Sequence, residues 1–206
     1  MDSKIAVKQL QEIEKRIPEK NKELRLAAEW EEDWKILIST LLSARTRDET
    51  TIAVCEVLFK EYPSLNELAN AKIKDIERII KKINFYKSKT RKVINCAKYL
   101  LENYNGKIPT NVEELTKIPG VGRKTANVFL AEKGYDAIGV DTHVSFISQL
   151  IGWTKNQDPL KIEEDLKRLF PKEEWRKINY ILVRFGRSYS RSKQIEIIGN
   201  IKKEIK

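Results

Sequence analysis

Apolar residues recur at helical spacing along almost the whole of this chain. Leu10, Ile13 and Ile17 form one apolar stripe, which Pro18 ends. Trp34, Leu37, Ile38, Leu41 and Leu42 form a second stripe that is nearly continuous, as expected of a buried helix. The same periodicity predicts helices at about 49–61, 64–71, 73–82, 87–103, 111–117, 123–133, 142–151, 159–170 and 173–186. The tail offers Ile195, Ile198, Ile201 and Ile205 as one apolar helical face. With 8 Gly and 6 Pro in 206 residues, and no convincing alternating strand, the pattern predicts an all-α fold. Gly134 and Gly139 bracket a stretch able to cross between two lobes.

Composition adds a direction to this picture. The formal charge is +10, and it is uneven: −2 over residues 1–34 and +12 over 35–206. From Arg78 to Lys98 there are eight basic residues and no acidic one. A polyanionic partner fits that run, because phosphate contacts dominate nucleic-acid affinity. A solvated Lys-rich surface, common in heat-adapted proteins, fits it too. Cys55 and Cys96 are scattered thiols in helical patterns, which argues against a disulfide scaffold and suits a reducing compartment. No stretch has the length of a membrane span, and the first residues lack a signal-peptide core. The expectation is a soluble intracellular protein of cytoplasm or nucleoid with no membrane partner.

The chemistry concentrates in LTKIPGVGRKTAN at 115–127, followed by VDTH at 140–143. Pro119, Gly120, Val121 and Gly122 read as a tight turn between two helices, with Gly120 and Gly122 suited to φ > 0 and leaving the backbone bare. Bare amides at a helix start bind phosphate, because they are unpaired and the helix dipole favours an anion. Arg123 and Lys124 fall in the first turn of the following helix. Asp141 precedes another helical run, where it can act as an N-cap.

This combination resembles the helix-hairpin-helix DNA glycosylase superfamily, and its endonuclease III branch most closely. LLSARTRD at 41–48 is similar to that branch's helix-and-wedge segment, and FYKSK at 85–89 to its second DNA-probing loop. NGKIP at 105–109 resembles the lead-in to the hairpin, and FGR at 185–187 the start of the closing segment. The resemblance implies a six-helix barrel lobe at 23–133, with the hairpin at about 111–133. Residues 1–22 and 134–206 would form a second helical lobe carrying the catalytic Asp. It implies Lys124 as an amine nucleophile and Asp141 as the carboxylate that stabilises positive charge on the sugar. Gly120, Val121, Gly122, Arg123, Lys89, His143 and Arg187 become DNA contacts. His143, the one histidine, would orient the Asp141 helix or a DNA phosphate rather than act as a base. Arg45 stands where the family inserts a polar wedge, commonly glutamine, and Phe85 where it inserts an aliphatic side chain. Both are departures. Arg45 pairing with a core-facing carboxylate, and Phe85 lying in the core, stay open as alternatives.

The implied activity is base-excision repair: a DNA glycosylase with AP lyase activity acting on oxidised pyrimidines in damaged double-stranded DNA, as a monomer. Two other readings stay open. One is the same lysine used on 8-oxoguanine, uracil or mismatched thymine. The other is a non-catalytic hairpin module, in which the lysine meets a phosphate and Asp141 only caps. The adenine-removing branch fits poorly, since it lacks the hairpin lysine and carries glutamate where this chain has Ser39. Most relatives in the branch end in four cysteines that hold a [4Fe–4S] cluster. Here SYSRSKQ follows Arg187, with no later Cys. No cluster is therefore expected, since its ligation needs thiolates. Arg184, Arg187, Arg191 and Lys193 offer a basic patch in its place. The resemblance leaves room for a monovalent cation at the hairpin.

Overall fold

A computed structural model describes residues 2–205. Among them every regular element is helical, as the 3.6-residue periodicity predicts. In chain order these are α1 (Ser3–Lys15), α2 (Glu19–Lys22), α3 (Asp33–Ser43), α4 (Asp48–Glu61), α5 (Leu65–Ala69), α6 (Ile73–Ile80) and α7 (Tyr86–Tyr104). They continue with α8 (Val112–Leu115), α9 (Arg123–Glu132), α10 (Thr142–Ile151), α11 (Pro159–Leu169), a 3₁₀ turn (Lys172–Glu174), α12 (Trp175–Ser188) and α13 (Arg191–Glu204). None of the described helices is long and apolar enough to cross a membrane. The chain divides into two units, one running Arg25–Lys133 and the other taking the chain up to Leu24 and from Gly134 onward.

The Arg25–Lys133 unit is built around α3. Eight of the nine positions of this helix from Trp34 to Leu42 are buried, all but Lys35, so its amphipathicity is weak and neighbours cover it on most sides. It packs on α4, α7 and α9. Fully burying one Leu or Ile contributes roughly 1.5–3 kcal/mol, against a few tenths separating most residues in helix propensity. Packing therefore holds α3. Cys55 and Cys96 lie in this unit's interior, where burial pushes both thiols up to about 12. They are inert fillers. The long helix α7 ends at Asn105 in the left-handed region, and the Gly106 amide returns to the Leu100 carbonyl at 3.0 Å. Helix α8 is shorter than its pattern predicts. The amides of Lys117 and Ile118 bond three residues back, to Glu114 and Leu115, and tighten the chain into the hairpin.

The other unit has one core, shared by Leu10, Ile13 and Ile17 of the N-terminal segment with apolar faces of α10, α11, α12 and α13. The tail face is rotated from the one the isoleucines suggest. Ile195 is 52% exposed, whereas Gln194, Ile197, Ile198 and Ile201 are buried. Gln194 fixes the rotation, because its Nε2 donates to the carbonyls of Gly186 (2.9 Å) and Tyr189 (2.7 Å) and so closes the α12–α13 turn. Gln9 ties the far end: its amide nitrogen donates to the Ile205 carbonyl, and its oxygen accepts from the Trp153 indole at 2.9 Å. Buried amides satisfied at both ends hold helices in one register.

Candidate active site

The hairpin turn is made by Ile118 to Gly122. The Val121 amide donates to the Ile118 carbonyl at 3.0 Å, and the Val121 side chain is buried. Val121, expected to contact DNA, thus anchors the hairpin with its side chain, and its amide is engaged in the turn. Gly120 has φ +86°, and a Cβ there would lie 2.8 Å from Lys92 Cβ and 2.9 Å from Leu41 Cδ1. Conformation and space both demand glycine. Gly122 is different. Its φ is −91°, ordinary extended backbone, and a Cβ would meet nothing within 4 Å. The expectation of φ > 0 at Gly122 is therefore wrong. What the glycine leaves is an exposed, uncovered start to α9.

No side chain caps α9, a feature it shares with α3, α4, α6, α7 and α12. Its first intrahelical bond runs from the Ala126 amide to the Gly122 carbonyl at 2.9 Å. The amides of Lys124 and Thr125 precede that bond and take no partner from helix or cap. Together with the positive end of the helix dipole they favour an anion. Arg123 is exposed and Lys124 half-buried in that same first turn. Gly120→Ala should destabilise the fold measurably and lower DNA affinity, whereas Gly122→Ala should leave the melting temperature within about 2 °C of wild type. Thermal denaturation of the two variants checks this.

In the other unit, Asp141 is the N-cap of α10. Its Oδ1 accepts from the amides of His143 and Val144, both at 2.9 Å. Among the described residues its Oδ2 takes no hydrogen bond, so one carboxylate oxygen shapes the helix while the other stays available. His143 is half-buried against α12, where a Cβ on Gly186 would fall 2.2 Å from its Nδ1. Gly186 is thus the residue that admits the imidazole, a role that sequence reading missed because it depends on packing between distant helices. Arg187 follows in the last turn of α12 and is half-buried. The proposed basic patch is mostly engaged internally. Arg184 is buried, donates to the Lys22 carbonyl at 3.0 Å and lies 3.5 Å from the Tyr180 ring centre. Arg191 lies over Phe146 at 3.8 Å, and Lys193 pairs with Glu196 at 2.7 Å.

The α3–α4 and α6–α7 loops meet at their tips. Arg45 and Phe85 are both exposed, Phe85 at 63%, and the guanidinium carbon lies 5.7 Å from the ring centre. Phe85 is not core, and Arg45 pairs with no carboxylate among the described residues. Both have positive φ, 57° and 60°. For a non-glycine residue that costs roughly 1–2 kcal/mol. Asn105, the remaining case, closes a helix as Asn commonly does; the loop tips have no such local reason. Lys89 is a correction. It was expected to contact DNA, but it is 6% exposed, and its Nζ donates to the carbonyls of Leu42 (2.7 Å) and Ala44 (2.6 Å) and to Thr46 Oγ1 (3.4 Å). These carbonyls end α3 and lack helical partners. Burial, with the charge of Lys92 adding to it, pulls the Lys89 ammonium down to about 8.

Two helices joined by the tight turn at 118–122, with a lysine in the first turn of the second, on an all-α scaffold, form a helix-hairpin-helix motif. The chain belongs to the HhH-GPD superfamily of base excision DNA repair proteins, which matches residues 38–172, and within it is endonuclease III-like. It is 43% identical to the endonuclease III of Thermotoga maritima over 178 residues, covering 85% of this chain and 80% of that protein. Its fold is similar to a trapped endonuclease III–DNA covalent intermediate, with TM-score 0.82 and 31% identity over 91% of this chain and 87% of the other. It is similar too to a non-covalent endonuclease III–DNA complex, with TM-score 0.86 and 28% identity over 99% and 98%.

Proposed function

We propose that this chain removes oxidised pyrimidines from duplex DNA, with Lys124 as nucleophile and Asp141 as the charge-stabilising carboxylate. It is a base-excision DNA glycosylase and AP lyase. The observation that carries the residue assignment is Lys124 in the first turn of a helix whose amides are open to phosphate. The covalent DNA intermediate trapped in a 31% identical structure supports the same chemistry.

Breaking the bond between base and deoxyribose builds positive charge on the sugar. The free oxygen of Asp141 would stabilise it. The neutral Lys124 amine forms a bond to C1′ as the base leaves with the bonding electrons and takes up a proton. The amine then loses its proton as the sugar ring opens, giving a Schiff base. That cation acidifies the C2′ proton. Its removal expels the 3′ phosphate by β-elimination, and water later releases the amine. Charge stabilisation is an interaction of the transition state, so it acts on rate more than on affinity.

The reading includes no iron–sulfur cluster. Beyond Arg187 the chain offers serine, tyrosine and the α13 helix, and its two thiols are buried in the Arg25–Lys133 unit. These residues do not fit a four-thiolate site. Helix α13, tied down through Gln9, Gln194 and Ile197 to Ile201, packs on the core of its unit in support of that reading.

A lesion panel tests the proposal. Single-turnover assays on duplexes holding thymine glycol, 5-hydroxycytosine, 8-oxoguanine, uracil or a T·G mismatch should show excision with strand cleavage of the first two, at least about tenfold faster than the rest. Preference for 8-oxoguanine, uracil or T·G would assign the same lysine to another lesion. Binding without any excision would leave only a hairpin module.

A further inference from the structure

Two strained loop tips stand side by side in the Arg25–Lys133 unit, and helix α7 reaches both of them. Phe85 immediately precedes it. Lys89, one turn in, holds the last carbonyls of α3 and the hydroxyl of Thr46 from beneath the Arg45 loop. Asn84 holds the same loop from its exposed side: its Nδ2 donates to the Arg45 carbonyl, and its amide donates to Thr46 Oγ1 at 3.2 Å. Lys92, three residues beyond Lys89, lies with its Cβ against the hairpin at Gly120. The first turns of α7 therefore join three surface loops: 44–47, 81–85 and the hairpin.

We propose that Lys89 is a positioning residue for base extrusion, fixing the Arg45 and Phe85 tips in their raised conformation before DNA arrives, with Asn84 as its partner on the outer side. The inference rests on the reading of these tips as DNA-probing. Left-handed backbone at arginine and phenylalanine persists only where the surroundings over-determine it. Here the over-determination is visible at the Arg45 tip, since one loop of four residues accepts four hydrogen bonds from Lys89 and Asn84, and the last turn of α3 accepts a fifth from Lys89. A plain helix end does not need such a device. Ala44 is exposed, and water or a turn amide satisfies most helix ends at far lower desolvation cost than a buried ammonium. The drop of the Lys89 ammonium to about 8 reports that cost. A charge held in the interior at a penalty, aimed at one loop, points to a need for that loop's geometry. Preorganised tips save ordering at the moment when a base must be unstacked and the gap filled.

The test compares Lys89→Met and Asn84→Ala with wild type. Asn84 is exposed, so its variant decides the question should Lys89→Met fail to fold. The first readout needs binding alone. A duplex with a stable abasic analogue beside 2-aminopurine should brighten on saturation with wild-type protein, as the neighbouring base unstacks, and each variant should give less than about half that rise. The second readout is kinetic. Excision from a fully paired lesion should fall at least about tenfold in Lys89→Met and about threefold in Asn84→Ala, whereas β-elimination at a pre-formed abasic site should stay within about twofold. Wild-type fluorescence gain and wild-type kinetics in both variants would overturn the proposal, as would equal losses on paired and abasic substrates. Wild type that unstacks the probe but cleaves no substrate would instead contradict the proposed function and leave this inference standing.

Discussion

Lys124→Ala should form no borohydride-stable adduct with damaged duplex DNA, where the wild-type protein gives a slow-migrating covalent band. Excision linked to strand cleavage should fall at least about 1000-fold, since the step that makes the Schiff base is assigned to this amine. Affinity for the same duplex should stay within about fivefold. The phosphate-binding element is backbone at the start of α9, which the substitution leaves in place, and alanine is the best helix former. Lys124 is half-buried and its side chain donates no hydrogen bond among the described residues, so little stability depends on it. Gel electrophoresis after borohydride treatment, alongside an equilibrium binding titration, separates the two effects.

Asp141→Asn should lower base excision at least about 100-fold with the protein fully folded. The structure makes this substitution unusually clean. Asparagine caps a helix about as well as aspartate, and an amide oxygen can keep both bonds from the His143 and Val144 amides. What disappears is the negative charge and the second carboxylate oxygen. Asp141→Ala removes the cap as well, and should cost about 1 kcal/mol of stability in addition. Single-turnover kinetics with thermal denaturation measure both. A loss below about tenfold in folded Asp141→Asn would reduce Asp141 to a cap.

The parts of this molecule that follow from local periodicity were legible in its sequence. The stripes at Leu10 to Ile17 and Trp34 to Leu42 are core, and the longer helices α4, α7, α10 and α11 lie where their patterns put them. Short motifs with local mechanics were legible too, such as the Asp141 cap and the glycine at position 120. What failed depended on the third dimension. Ile195 has the spacing of a core residue, but the buried Gln194 turns the helix away from it. Lys89 sits in a run of surface lysines and arginines, and only the position of the α3 carbonyls distinguishes it from its neighbours. Gly122 and Gly120 look alike in a Gly-x-Gly string, yet one has φ −91° and the other +86°. The need for Gly186 comes from an imidazole 43 positions earlier in the chain. The strain at Arg45 and Phe85 has no signature in residue type at all.

The claim at the centre of this account is that Lys124 becomes covalently joined to the sugar. Tandem mass spectrometry of the wild-type adduct, trapped with borohydride on a thymine-glycol duplex and digested with protease and nuclease, reads that bond directly. A single modified peptide is expected, with the reduced sugar fragment on the Nζ of Lys124. Modification at another lysine or at the N-terminal amine, with Lys124 unmodified, would contradict it.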